Sequence, residues 1–239
     1  MSARISIVIP TLNAAGSLPR CLETLIEGLI DGLICELVIT DGGSEDATLE
    51  IADEVGARIV RGVASRGGQL RRGVADTRGD WVLILHADTV LAPGWSRLVR
   101  QHVEFDTRPA YFHLAFDISG LWPAMVSRWA NLRARVFALP YGDQGLLIRR
   151  SDYDAAGGFP DQPLMEDVAL ALRLGRTLVG MPVTARTSAA RYARDGWLSR
   201  GTRNLWTLAR YLGGADPTKL AASYRKQLGR TLSVQPNKR

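Results

Sequence analysis

The stretch "WVLILHADT", Trp81–Thr89, joins an apolar run to two polar groups. Trp81 to Leu85 read as a buried strand, and the chain then supplies His86 and Asp88. Burying an imidazole or a carboxylate without a partner costs several kcal/mol, so this strand surfaces at a place where both are useful. Reading outward, "RISIVIP" (4–10), "ELVITD" (36–41) and "RIVRG" (58–62) are further strands. Between them lie helical stretches. "SLPRCLETLIEGLI" (17–30) is capped by Ser17, with Leu18, Leu22, Leu25, Ile26 and Leu29 on one face. "SEDATLEIADEVG" (44–56) is capped by Ser44, and "GQLRRGVADT" (68–77) precedes the strand at 81–88. Strands alternating with helices of this length mean βαβ units and a mostly parallel sheet with helices on both faces, an α/β fold.

In such sheets ligands sit beyond the carboxyl ends of the strands. That rule selects Thr11 and Asn13, then Asp41-Gly42-Gly43, then Arg61 to Gly68, then His86 to Thr89. One strand-end aspartate is explained by turn chemistry alone; a converging set of acids, histidine and arginine is not. The second half is less regular. A strand is expected at 110–118, an interrupted amphipathic helix at 120–140, a short strand at 145–150 and a helix at 165–176. A strand at 182–188, helices at 197–212 and 217–228, and a frayed "SVQPNKR" tail complete the chain.

At 239 residues the chain is long enough for one sizeable core. We expect a single domain over 1–239. A nucleotide-binding half runs to about 107, an acceptor half covers about 108–195, and C-terminal helices occupy about 196–239. Lys+Arg 30 against Asp+Glu 24 gives a net charge of +6, and only Lys219, Lys226 and Lys238 are lysines. Genomic base composition accounts for such an arginine excess; an anionic partner is the other explanation. Nucleic-acid binding would rest on charge alone and is not expected. Two cysteines without metal or disulfide spacing suggest a reducing compartment, and no segment approaches the roughly 20 apolar residues that span a bilayer. The expected location is cytoplasmic.

A nicotinamide-binding glycine loop and a P-loop are both absent. "HADT" invites comparison with phosphatases that end a strand in D-x-D, but His86 stands where their nucleophile belongs. Four segments together resemble the inverting, GT-A type glycosyltransferases of family 2. "IVIPTLN" is similar to that family's opening strand and nucleotide-contacting turn. "ITDGGSEDAT" resembles its V-D-D-G-S-x-D-x-T segment, with Thr40 at the first Asp. "RGDWVLILHADT" resembles its D-x-D strand, with His86 at the first Asp. "GGFPDQPLMEDVALALRL" resembles its acceptor-side segment. The likeness covers roughly residues 4–176, and "YGDQG" with "TSAARYARDGW" suggests a bacterial subgroup whose substrates are poorly defined.

The resemblance implies a Rossmann-like GT-A sheet and transfer of a sugar from a nucleotide diphosphate, commonly of uridine, to a hydroxyl acceptor. Asp88 would ligate Mn²⁺ or Mg²⁺ beside the diphosphate. His86 would ligate the metal, donate to phosphate, or merely bond a backbone carbonyl at the strand end. Asp41 would contact the base, with Thr11 and Asn13 lining the same pocket and Arg66, in a loop before Gly67-Gly68, meeting phosphate. Asp167 would take the acceptor proton, with Glu166 contacting acceptor or bracing the site. Asp143 and Gln144 would hold sugar hydroxyls. Trp122, Trp129, Phe137, Trp197, Trp206 and Tyr211 lie among arginines. They form either core packing with a basic outer face or an interfacial surface reaching a membrane and a lipid-linked acceptor. A protein of the same fold that binds nucleotide-sugar without turnover is the competing class.

Overall fold

The computed structural model describes residues 4–232, with side chains through Tyr224. The strands are β1 (Ile5–Thr11), β2 (Ile34–Asp41), β3 (Arg58–Arg61), β4 (Trp81–Ile84), β5 (Val90–Leu91), β6 (Ala110–Phe116), β7 (Leu146–Arg149) and β8 (Val179–Thr187). The helices are α1 (Leu18–Ile30), α2 (Thr48–Glu54), α3 (Arg66–Ala75), α4 (Trp95–Phe105), α5 (Leu121–Phe137), α6 (Arg150–Ala155), α7 (Glu166–Leu174), α8 (Ala190–Asp195), α9 (Trp197–Leu212) and α10 (Pro217–Leu232).

All eight strands form one sheet in the order β3-β2-β1-β4-β7-β6-β8-β5. From β3 to β4 the pairing is parallel, with Thr11 opposite Asp41 and Val8 opposite Ile84. β7 runs antiparallel to both β4 and β6, and β6 is parallel to β8. The chain winds one way from β1 to β3 and then returns to β4 on the other side of β1. The β1/β4 boundary is therefore the topological switch point, where two loops part and leave a crevice.

Period-two alternation divides the core. Ile5, Ile7 and Ile9 face Leu18, Cys21, Leu22 and Leu25 of α1 and Trp95 and Val99 of α4. On the opposite face Val8, Val38, Val82 and Ile84 meet Leu70 and Val74 of α3 and Leu170 of α7. A third cluster joins Ala134 of α5, Val168 and Ala171 of α7, Leu208 of α9 and Leu220 of α10. The C-terminal helices thus pack onto the acceptor-side half.

Several local expectations change. In α1 the buried line runs 18, 21, 22, 25, 28, so Ile26 and Leu29 point outward. Gly28 ends the line because Trp95 fills the place of its side chain: a Cβ there would stand 2.6 Å from the indole. Helix α2 begins at Thr48 rather than near Ser44, whose hydroxyl is engaged by Asp41. The fourth strand stops at Ile84, short of His86. Helix α5 is continuous, because Pro123 falls in its first turn, where no N–H is needed. Helices α4, α6 and α8 add to the expected elements. The "SVQPNKR" tail lies outside the described residues.

Candidate active site

The cleft opens at the β1/β4 switch point and is lined from both halves of the chain. On one side stand Thr11, Asn13, Arg66, Gln69, His86, Asp88, Glu166 and Arg191. On the other, Arg66, His86, Asp88 and Arg191 recur with Tyr141, Asp143, Asp167 and Tyr192. Sequence positions more than 150 apart therefore meet around His86 and Asp88.

The β1–α1 and β2–α2 loops are tied together by Asp41. Its carboxylate accepts from Thr11 Oγ1 (3.0 Å), Ser44 Oγ (2.5 Å) and the N–H groups of Gly43 (2.7 Å) and Ser44 (2.8 Å). Burial pushes its pKa up, but these bonds outweigh that and hold it below the ordinary carboxylate value. The expected base contact is corrected here: Asp41 is 1 % exposed, does not line the cleft and builds the loop instead. Asn13 crosses the same gap at φ +50°, its N–H donating to Ser44 Oγ and its Oδ1 accepting from Glu45 N–H. Gln69, which sequence reasoning missed, is buried and donates from Nε2 to the carbonyls of Thr11 (2.8 Å) and Thr40 (2.9 Å). It locks β1 to β2 at the edge of the cleft; a polar side chain one position before a buried leucine was its only trace.

Arg66 opens α3 instead of lying in a loop. The helix starts two residues early because Ser65 caps it, its Oγ accepting from Gly68 N–H. Gly67 also lets the 160–162 backbone approach: a Cβ at Gly67 would stand 1.9 Å from Pro160 O. Arg66 lines the cleft and is ringed by acidic groups. Burial in the cleft opposes its charge, but Glu166, Asp167, Tyr224 and Asp143 overcome this and hold the guanidinium charged. Arg72 points elsewhere, donating to Val63 O.

Past β4 the chain turns, with Thr89 N–H and Cys21 Sγ both donating to His86 O. No hydrogen bond from the described residues holds either the Asp88 carboxylate or the His86 ring. Burial lowers the His86 pKa, Asp88 opposes that and Arg66 adds to it. Burial thus favours the neutral ring, which keeps a lone pair. Its Nε2 edge packs on Gly142, where a Cβ would come within 2.5 Å. Gly142 also donates its N–H to Asp167 Oδ2 at 2.7 Å, so one glycine positions both side chains.

At the start of α7, adjacent acids diverge as helix geometry requires. Asp167 lines the cleft, with Oδ1 accepting from Val168 N–H. Glu166 is 2 % exposed, faces Arg66 and keeps a buried Oε2 without a partner among the described residues. Burial, then Asp167, push its pKa up to about 7. Asp143 lines the cleft with a partnerless Oδ1, and burial raises its pKa to about 6. Gln144 is corrected: it is fully buried, donates to Phe112 O (3.2 Å) and accepts from Arg133 (3.4 Å), so its amide is engaged inside the fold. Arg133 stacks on Tyr141 at 3.4 Å. Tyr141, Arg191 and Tyr192 were also missed, since nothing local marks them as cleft residues.

An oxygen from Asp88 and a neutral nitrogen from His86 suit Mn²⁺, which needs few protein ligands when phosphates supply others. Among the described residues no cluster of three or more such ligands occurs, so any cation there would depend on the ligand's oxygens.

Comparisons place this geometry. A PGL/p-HBAD biosynthesis glycosyltransferase of Mycobacterium bovis is 40 % identical over 93 residues, 36 % of each chain. Glucosyl-3-phosphoglycerate synthase of Mycobacterium tuberculosis is 34 % identical over 95 residues, covering 36 % of this chain and 29 % of that protein. The matches thus span about a third of these relatives' length. The crystal structure of the synthase with Mn²⁺, UDP and glucosyl-3-phosphoglycerate superposes with TM-score 0.56 at 22 % identity, over 78 % of this chain and 70 % of that one. Staphylococcus aureus TarS with UDP-GlcNAc gives TM-score 0.60 at 14 % identity, over 77 % of this chain and 58 % of TarS. The sheet is that of the GT-A fold. The family described as glycosyl transferase family 2 matches residues 6–139, more than half of the chain, and the protein belongs to that family.

Proposed function

We propose that the chain is an inverting glycosyltransferase that moves a sugar from a nucleoside diphosphate, UDP in the first instance, to a hydroxyl acceptor. One observation carries this reading: at the β1/β4 switch point an unbonded carboxylate, Asp88, and a charged guanidinium, Arg66, face a backbone-anchored carboxylate, Asp167, across one cleft. A diphosphate needs the first two and an acceptor hydroxyl needs the third. The UDP and Mn²⁺ bound by the mycobacterial synthase support the choice of donor and ion.

In this reading Asp88 and His86 would hold a divalent cation, which would supply positive charge beside the diphosphate. Arg66 and Arg191 add positive charge on the same side. Thr11, Asn13 and the loop built by Asp41 shape the nucleotide pocket. The acceptor oxygen bonds to the anomeric carbon as the bond from that carbon to phosphate oxygen breaks. The electron pair leaves with the diphosphate, and the acceptor proton passes to Asp167. The backbone donors of Gly142 and Val168 aim that carboxylate while leaving lone pairs for the proton. We assign the nucleotide to the half before about residue 107 and the acceptor to about 108–195, with the helices from about 196 closing that side.

Calorimetric titration of UDP and GDP, with and without Mn²⁺, tests the reading on the parent chain and on Asp88→Ala. Expected is metal-dependent UDP binding that the substitution abolishes. No nucleotide binding with any divalent metal would overturn it.

A further inference from the structure

Helices α5 and α9 each present an apolar row to one shared groove. Trp122 (41 % exposed), Met125 (50 %) and Trp129 (45 %) line it from α5, and Leu198 (62 %) and Leu205 (40 %) from α9. Its cavity volume is about 350 Å³, at the low end of small-ligand sites, roughly 300–1,000 Å³. Core packing does not account for this row. The closed cluster beneath it, in which Phe116 meets Tyr192 and Trp197 at ring distances of 5.1 and 4.9 Å, is complete without these outer side chains. Arg133, the one cation on the wall, is engaged by Tyr141 and Leu139 O.

The groove adjoins the cleft. Tyr141, Asp143, Tyr192 and Asn204 line both. At that seam Tyr141 Oη and Asp143 Oδ1 are buried without hydrogen-bond partners among the described residues. An orphaned buried polar atom is destabilising, and here a phenol and a carboxyl together supply the donor and acceptor that a single hydroxyl uses.

We propose that the groove holds the apolar part of an amphiphilic acceptor, whose hydroxyl enters the cleft past Tyr141 and Asp143. This rests on the transferase reading above. The wall shared with the cleft selects this occupant over a second copy of the chain or a bilayer surface, neither of which needs to lie beside a catalytic carboxylate. Among the described residues the wall's cation, Arg133, is already engaged, which argues against a phosphorylated acceptor.

The tryptophans in the groove report on it directly. n-Octyl β-D-glucoside below its micellar range should shift their emission saturably, and methyl β-D-glucoside should not. Met125→Glu and Leu205→Glu, both at exposed positions, should weaken octyl glucoside binding about tenfold or more. Their melting temperature and UDP–Mn²⁺ binding should stay at parent values. Unchanged emission, or equal binding by parent and variants, overturns the proposal. So does a light-scattering mass that shows a parent dimer and monomeric variants, which makes the groove an interface between copies. UDP binding without glucoside binding sinks the groove alone. Glucoside binding without UDP binding overturns the transferase reading and the acceptor role with it.

Discussion

Asp41 and Asp88 follow strands that flank the same β1, and their surroundings are opposite. Asp41 accepts four hydrogen bonds and is closed off from solvent; Asp88 accepts none from the described residues and stands in the cleft. The sequence offers both as a strand-end acid near glycine or alanine. What separates them is the chain around each. The β2–α2 loop brings Gly43 and Ser44 N–H groups back onto Asp41, whereas the turn after β4 directs its donor, Thr89 N–H, to the His86 carbonyl. A satisfied carboxylate builds structure, and an unsatisfied one is available to a ligand.

Substitutions can break or sharpen that contrast. The largest effect is expected at the third carboxylate, which is held yet reactive. Asp167→Asn should lower kcat by about 10²–10⁴-fold while thermal stability and UDP binding persist. Asp88→Ala should come next, with kcat/KM down about 100-fold or more and the response to Mn²⁺ lost. Its melting temperature should match or exceed the parent's, since no hydrogen bond is removed. Asp41→Ala should invert that pattern. It leaves the Gly43 and Ser44 N–H groups without their acceptor, so stability should fall by about 2–3 kcal/mol in urea titrations. Nucleotide affinity would decline only through the displaced loop. If Asp41→Ala were as stable as the parent and Asp88→Ala strongly destabilised, the contrast would be wrong.

The smallest effect concerns pH. Glu166 has a folded pKa near 7 against an ordinary value of 4.5, so the folded state binds its proton more tightly. Its contribution is fully present below about pH 4.5 and is lost as pH rises through about 7. Glu166→Gln should flatten that part of the stability profile and leave the ligand-free protein more stable at pH 8 by on the order of 1 kcal/mol. A variant with the parent's pH profile would count against the buried, partnerless placement of this carboxyl.

Much of the nucleotide-side half is legible in the sequence. Alternating apolar residues in "ISIVI" and the leucines of α1 encode their faces locally, because period two and period 3.6 are properties of short segments. Strand order and the switch point are set instead by tertiary pairing, with β1 between β2 and β4. The boundaries moved where side chains had competing offers. Ser44 bonds Asp41 instead of capping α2, and Ser65 starts α3 early enough to put Arg66 on the helix. The acceptor half is harder to read because β7 enters antiparallel between β4 and β6, a pairing no local pattern announces.

The residue types of the site are all visible in the chain: strand-end acids, His86, the adjacent Glu166 and Asp167, and the glycine-flanked Asp143. Their division of labour is not. Whether a carboxylate is tied down or free depends on which N–H groups arrive from elsewhere, as Gly142 does for Asp167 across 25 positions. Burial that raises Glu166, the ring of acids around Arg66 and the wall shared by the α5–α9 groove and the cleft likewise arise between distant segments. Periodicity is written residue by residue, while hydrogen-bond satisfaction and local dielectric belong to the assembled neighbourhood and exist only once the sheet has closed around them.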